Sequence, residues 1–241
     1  MQAGGPGFES PQLHHYFREK IMLSKRLIGL FMLIGPFLAI ASLFIEGLIP
    51  GGLDDDGTFA ESVQIMADNS VLSMMSMIAW AVGALIIFIG MHYLARSMQG
   101  EGKPGSDFAA LASVFALLTA GVAMVSLGID TTIGEKDTSW ITKGGDVVNA
   151  TAISSAIGRS VFVFHGLIML FLGLAIVKQK NLHQIVGGLF TFFGACILFG
   201  GILGSGENWA GGIWFIGFLG FPIITAATGF LILRSAGKNT A

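Results

Sequence analysis

Six long stretches of apolar residues divide the chain, and shorter polar segments separate them. The stretches cover about 27–49, 71–95, 107–129, 150–177, 183–203 and 212–234. Each is long enough for a helix of roughly 20 residues, the length that crosses the hydrocarbon core of a bilayer. The pattern therefore predicts an all-α, polytopic integral membrane protein built as a bundle of six transmembrane helices.

Charged side chains alternate between the polar segments. Ten of the thirteen Lys and Arg residues lie before the first stretch, between the second and third, between the fourth and fifth, or after the sixth. The remaining segments are acidic, and Lys136 and Lys143 are their only basic residues. Because basic loops stay on the cytoplasmic side, both termini are expected in the cytoplasm. A bacterial or archaeal plasma membrane is the expected location.

This arrangement divides the chain into three parts. Residues 1–26 are a predicted cytoplasmic arm, in which segment 11–24 mixes apolar and charged side chains and favours a short interfacial helix. Residues 27–234 form the transmembrane domain, and 235–241 a cytoplasmic tail. On the acidic side, segment 58–69 is a second candidate for an interfacial helix, whereas loop 130–149 is expected to be irregular.

Composition excludes several classes of protein. Only 12% of the residues are charged and 53% are hydrophobic, whereas soluble domains carry about 25% charged residues. Cys196 is the only cysteine, so the chain has no internal disulfide and no cysteine-based zinc site. No basic patch suits nucleic acid, and we expect the partners to be the lipid bilayer and other membrane protein subunits.

Two charged residues fall inside the apolar stretches. Glu46 and Arg159 each lie about 27–28 Å from the inner end of their helix at about 1.5 Å per residue. They therefore share a depth near the outer interface. Because an isolated charge in the membrane is costly, we predict an ion pair that ties the first span to the fourth. The alternative is that each side chain reaches the outer interface separately.

Three histidines are candidate cofactor ligands. His165 lies near the midplane of the fourth span, where it could ligate haem or a chlorophyll pigment, relay protons, or simply donate a hydrogen bond to a neighbouring helix. His92 and His183 lie near the inner ends of the second and fifth spans. They could bracket a haem, or they could be interfacial histidines in a basic environment.

Small residues recur at four-residue spacing within the spans. Membrane helices pack closely where such residues meet, because lipid provides no hydrophobic drive for helix association. The pattern predicts a compact bundle with spare small-residue faces for partner subunits. The residues concerned are Ala112, Ala116, Ala120, Ala152, Ala156, Ser160, Gly200 and Gly204, with Ser154 and Gly158 beside those of the fourth span.

No catalytic or metal-binding motif is present, so enzyme activity has no support in the sequence. The chain contains no phosphate-binding loop, no Gly-x-Ser-x-Gly nucleophile elbow and no His-Glu-x-x-His motif. The leading functional prediction is a non-catalytic integral membrane subunit that packs against partners in a larger complex. A small transporter or channel is the first alternative, and a haem- or pigment-binding membrane protein is the second.

Overall fold

The computed structural model describes residues 23–51, 58–134, 146–180, 182–203 and 208–238, and the regular structure in these ranges is helical. Its helices are α1 (Lys25–Glu46), α2 (Phe59–Asp68), α3 (Ser70–Ser97), α4 (Ser106–Gly134), α5 (Val147–Gln179), α6 (Gln184–Leu203) and α7 (Asn208–Lys238). Six of them, all but α2, are long and apolar enough to cross a membrane. The predicted all-helical chain with six spans is confirmed, and it is consistent with a multi-pass integral membrane protein. The arm segment 11–24 lies outside the described residues.

The six long helices form a closed ring. Each packs against its neighbours in the order α1, α3, α4, α5, α6, α7, and α7 packs against α1. The helices alternate in direction, so the helix ends next to the acidic segments lie at one end of the ring and those next to the basic segments lie at the other. These are called the acidic end and the basic end below. The short helix α2 lies at the acidic end in contact with α3, α4 and α5.

Glycines set the distance between helices on the α1, α6 and α7 side of the ring. A methyl group added at Gly194 of α6 would lie 2.6 Å from the backbone nitrogen of Leu170 and 2.8 Å from the carbonyl oxygen of Gly166, both in α5. Gly229 of α7 is equally close to the backbone of α1, 2.6 Å from the carbonyl oxygen of Gly29. These helices are therefore in backbone contact, which only glycine permits.

Alanines take the same role on α4. Ala112 and Ala116 are fully buried and Ala120 is nearly so, which confirms the predicted small-residue face. The predicted small residues of α5 lie partly inside and partly outside the bundle. Ser154 is buried and hydrogen-bonds to α4, whereas Ala156 is exposed. The remaining residue of the pattern, Gly204, lies outside the described residues.

Local capping explains where the helices begin. Thr58 caps α2, and its backbone N–H and its hydroxyl both donate to Oε2 of Glu61, at 2.6 Å and 2.9 Å. These hydrogen bonds lower the pKa of the exposed Glu61 carboxyl because they favour its charged form. The predicted helix over 58–69 is thus confirmed, while its place on the membrane surface stays a prediction.

The structure corrects one boundary that bears on function. Loop 130–149 is expected to be irregular, but α4 continues through Gly134 and α5 begins at Val147. Asp130 therefore lies on a helix within the bundle. The side chain of Asp146 caps α5 by accepting a hydrogen bond from the backbone N–H of Asn149 at 3.0 Å.

The outer surface of the ring is apolar. Phe37, Val114 and Phe230 are each more than half exposed, at 62%, 56% and 57%. Buried polar side chains such as Thr225 and Thr228 face inward. A chain that places apolar groups outward and polar groups inward is suited to a lipid solvent rather than to water.

The backbone contacts at glycine generate a stability prediction. Replacing Gly194 with Val should destabilise the protein by about 1–3 kcal/mol, because the new side chain would collide with α5. Gly188, on the same helix, has open space at the corresponding position, so Gly188→Val is the matched control. Reversible unfolding in mixed detergent micelles, followed by circular dichroism, should separate the two variants. Equal stability would contradict the proposed packing.

Candidate functional site

A polar cavity of about 590 Å³ lies inside the ring at the acidic end. Its charged groups are Glu46 of α1, Asp130 of α4 and Arg159 of α5. Ser155 and Arg159 on its wall are exposed, so solvent can reach it. The other residues that line it are Trp80, Ser126, Ser154, Gly158, Phe162, Gly200, Gly201, Gly211 and Trp214.

A hydrogen-bonded chain fixes the acid on the α4 wall. The hydroxyl of Ser154 donates to Oδ1 of Asp130 at 2.5 Å, and the hydroxyls of Ser126 and Ser154 lie 2.8 Å apart. Because Ser154 has a single O–H to donate, Ser126 donates in turn to Ser154. The chain joins α4 to α5 and holds the Asp130 carboxyl at the cavity.

The two charged residues that the sequence pairs by depth do line the same cavity. Glu46 lies at the C-terminal end of α1, and Arg159 lies on α5 about 18 Å from its first residue at 1.5 Å per residue. Their shared depth in the membrane stays a prediction. A direct ion pair between Glu46 and Arg159 stays a prediction.

Aromatic rings form the floor of the cavity and its wall toward α7. The ring centroids of Trp80 and Phe162 lie 5.9 Å apart, and Phe162 meets Trp214 edge-on at 5.5 Å. Trp214 stacks on Phe218 at 4.8 Å, and Phe218 lies 5.8 Å from Phe221. These five residues are called the aromatic partition below. Aromatic faces carry negative electrostatic potential and attract cations.

His165 lies directly below the aromatic partition. It is 4% exposed, it packs edge-on against Phe88 and Phe221 at 5.3 Å and 4.6 Å, and its Nε2 has no hydrogen-bond partner among the described residues. A void of about 20 Å³ adjoins it, and this void is also lined by Trp80 and Phe162. A space of that size can hold one water molecule.

Of the other two histidines, His92 lies on α3, and His183 lies just before α6, the helix opposite α3 in the ring. Nδ1 of His92 is 2.9 Å from the hydroxyl of Ser113, so this buried histidine joins α3 to α4. His183 is exposed, and its Nδ1 accepts a hydrogen bond from the backbone N–H of Ile185 at 3.3 Å at the start of α6. These contacts give both histidines a structural role, and cofactor binding by His165, His92 or His183 stays a prediction.

A second cavity of about 310 Å³ adjoins the first beneath α2. It shares Glu46, Asp130 and Ser155 with the polar cavity, and α2 contributes Ser62 and Met66 to its wall. The amphipathic helix α2 therefore covers part of the acidic end. Within the described part of the chain, no three His, Cys, Asp or Glu side chains group closely enough to hold a metal ion.

Sequence reasoning missed two residues that define the polar cavity. Asp130 was assigned to a loop, although Ser126 and Asp130 are four residues apart and so share one face of a continued helix. The sequence does not distinguish Trp80, because a single aromatic residue inside an apolar stretch resembles any core residue. It nevertheless lines both the polar cavity and the void beside His165.

Comparison with protein-family models, with curated proteins and with solved structures gives no match for this chain.

The common cavity of Glu46 and Arg159 makes their predicted pairing testable. We expect a double-mutant cycle of Glu46→Gln and Arg159→Leu to show a coupling energy of about 0.5–3 kcal/mol, the range for charged residues that interact directly. The measurement is stability in detergent for the two single variants and the double variant. Strictly additive effects would show that the two side chains do not interact.

Proposed function

We propose that this protein is a six-span membrane protein that binds a small ammonium-bearing solute in its polar cavity, as a small transporter does. The observation that carries the proposal is the cavity itself, where two carboxyl groups, one guanidinium and three serines surround a space of about 590 Å³. Charged side chains within a membrane domain are costly. Their convergence on one accessible space supports ligand binding more than packing.

The composition of the cavity wall favours a cation or a zwitterion. Glu46 and Asp130 provide two carboxyl groups against the single guanidinium of Arg159. The faces of Trp80 and Trp214 add sites for an ammonium group. A purely anionic solute would meet two like charges and one opposite charge, so it is disfavoured.

The basic half of the bundle is closed within the described residues. Side chains from α1, α3 and α5 fill it, and Met32, Met91, Met169, Leu172 and Ile176 are all fully buried. A binding site that opens toward one end and is sealed toward the other is the arrangement expected for one state of an alternating-access transporter. It does not suit an open channel.

The charge pattern supports one orientation of this site. Most of the described basic residues, such as Lys25, Arg96, Lys178 and Arg234, lie at the basic end, whereas Arg159 lines the polar cavity. The positive-inside rule places the basic end in the cytoplasm. Both termini would then be cytoplasmic, and the polar cavity would open to the exterior or periplasm.

The other functional predictions remain untested. The subunit hypothesis retains some support, because Gly121 and Gly128 of α4 have open space around them and could admit a partner helix at close range. The haem or pigment hypothesis needs either His165, beside which the described void holds a water molecule rather than a macrocycle, or the pair His92 and His183, which lie on opposite sides of the ring. Neither has an observation as specific as the polar cavity.

Thiol chemistry at the cavity wall tests the proposal without knowledge of the natural solute. In a Cys196→Ala background, the Ser155→Cys variant should react about tenfold faster with the ammonium-bearing reagent aminoethyl methanethiosulfonate than with its sulfonate analogue. The cavity has one more acidic group than basic groups near the thiol. At the effective dielectric constant of a partly buried site, this excess makes the approach of the cationic reagent about 1.4 kcal/mol more favourable than that of the anionic one, which is a tenfold difference in rate. The measured quantity is the ratio of the two second-order rate constants.

Two matched glycines provide the control. Both Gly158, on the cavity wall, and Gly121, on the outer surface of α4, have no atom within 4 Å of an added Cβ. Gly158→Leu should slow the reaction at Ser155→Cys because its side chain fills the cavity, whereas Gly121→Leu should leave it unchanged. Equal rates for both reagents, or equal effects of both leucines, would refute the proposed binding site.

Labelling of whole cells tests the orientation. An impermeant maleimide should modify a Gln64→Cys variant, since Gln64 is exposed on α2 at the acidic end, and it should not modify Lys178→Cys at the basic end. In permeabilised cells, both variants should be labelled. The reverse pattern in intact cells would place the polar cavity in the cytoplasm.

A further inference from the structure

An apolar groove of about 680 Å³ runs between α1 and α7 on the outer surface of the ring. Its described lining consists of apolar and aromatic side chains together with one glycine. Leu43, Phe44 and Leu48 form the α1 side, while Leu219 and Ile223 form part of the α7 side. Several of these residues are exposed, with Phe44 at 74% and Ile223 at 69%. In a bilayer, hydrocarbon chains are the surrounding solvent at this surface.

The packing of α1 and α7 explains the groove. The two helices are in backbone contact where Gly29 meets Gly229. Nearer the acidic end the facing residues are large, and Pro222 of α7 lies on the groove wall. The two helices touch at the glycines, and the bulky side chains nearer the acidic end hold them apart. The recess that remains between the helices opens to lipid.

The aromatic partition lies between this groove and the polar cavity. Trp80 lines both spaces, Phe162 and Trp214 line the polar cavity, and Phe218 and Phe221 line the groove. Trp214 and Phe218 are stacked one helical turn apart on α7. At Trp80 a single side chain therefore borders both the polar and the apolar space.

The polar cavity and the apolar groove are both lined by residues of α1 and α7. On α7, Gly211 and Trp214 line the polar cavity, and the residues one to three turns deeper line the groove. On α1 the groove extends from Ala39 to Leu48, so it reaches the level of Glu46 in the polar cavity, and the adjacent residue Gly47 lines the groove. The polar and the apolar space are thus neighbours at the end of α1, and on α7 the apolar space continues toward the membrane centre. A lipid has the same arrangement, with a polar head next to hydrocarbon chains that extend inward.

We propose that the ligand of this protein is a membrane lipid with a zwitterionic head group that carries both an ammonium and a phosphate. The inference rests on the proposed function and names the molecule to which the ammonium group belongs. The ammonium would contact Asp130, Glu46 and the tryptophan faces, and Arg159 would bind the phosphate. One hydrocarbon chain would occupy the α1–α7 groove, and Trp80 would contact both parts.

Fluorescence quenching at Trp80 tests this inference directly. The chain has four tryptophans, so Trp140, Trp209 and Trp214 are replaced by Phe to leave Trp80 as the only emitter. The protein is reconstituted in phosphatidylglycerol, which has a phosphate but no ammonium group, with a small fraction of lipid brominated on its acyl chains. The brominated probe is phosphatidylethanolamine, phosphatidylglycerol or diacylglycerol in turn. We expect phosphatidylethanolamine to be enriched about tenfold over diacylglycerol at Trp80, the effect of one charge-assisted contact.

Two variants serve as controls. A protein whose only tryptophan comes from Leu118→Trp reports on ordinary lipid contact, because Leu118 is 61% exposed on α4, across the ring from α7. It should show no preference among the three lipids. Adding Gly158→Leu to the Trp80 protein should abolish the preference, because its side chain would occupy the space of the head group.

The outcomes separate this inference from the proposed function. Quenching of Trp80 in simple proportion to lipid fraction would overturn the lipid inference. Enrichment that is equal for all three lipids and insensitive to Gly158→Leu would also overturn it, since the groove would then bind chains without regard to the head. In either case, a retained ammonium preference at Ser155→Cys would leave the proposed function standing as binding of a water-soluble solute. Loss of the ammonium preference at Ser155→Cys would contradict both the lipid inference and the proposed function.

Discussion

Direct contact between glycine backbones is the interaction on which this structure depends. Lipid gives no hydrophobic drive for helix association, so long helices in a bilayer associate through van der Waals contact at short range. Gly166 against Gly194 and Gly29 against Gly229 bring α5 to α6 and α1 to α7 within that range. Buried alanines on α4 allow a similarly close approach to its neighbours. Each long helix thus packs against two others, and the ring is closed.

A closed ring of six helices has a centre that must be filled, and the two halves fill it differently. Toward the basic end, unbranched and flexible methionines such as Met32 and Met91 occupy it completely, as suits an irregular space. Toward the acidic end, small residues including Ser154 and Gly158 leave the polar cavity. The difference in side-chain size along the axis, rather than any change in helix geometry, produces the site.

The sequence was sufficient for the parts of this architecture that depend on composition and depth. The six spans follow from apolar length, and counting residues along two helices suggests a common depth for Glu46 and Arg159, although it does not predict the cavity that both line. The order of helices around the ring could not be obtained that way, because it depends on which small residues meet. Ala156 illustrates this: it fits the spacing of a packing face but is exposed, whereas its neighbour Ser154 is buried. The role of Trp80 was hidden for the same reason, since it arises only when α1, α3, α5 and α7 surround one point.

The aromatic partition lies between the polar cavity, which suits water, and the α1–α7 groove, which suits hydrocarbon. On one side lies a space with carboxyl groups, a guanidinium and hydroxyls, which needs water or a polar ligand. On the other lies a groove that only hydrocarbon suits. Leaving polar groups unsatisfied in an apolar setting costs several kcal/mol, so the partition must stay closed unless one ligand satisfies both sides at once. Trp80 contributes to both walls and to the void beside His165. Among the residues that the structure describes, Trp80 is therefore the one side chain at which the polar cavity, the lipid-facing groove and the void beside His165 all meet.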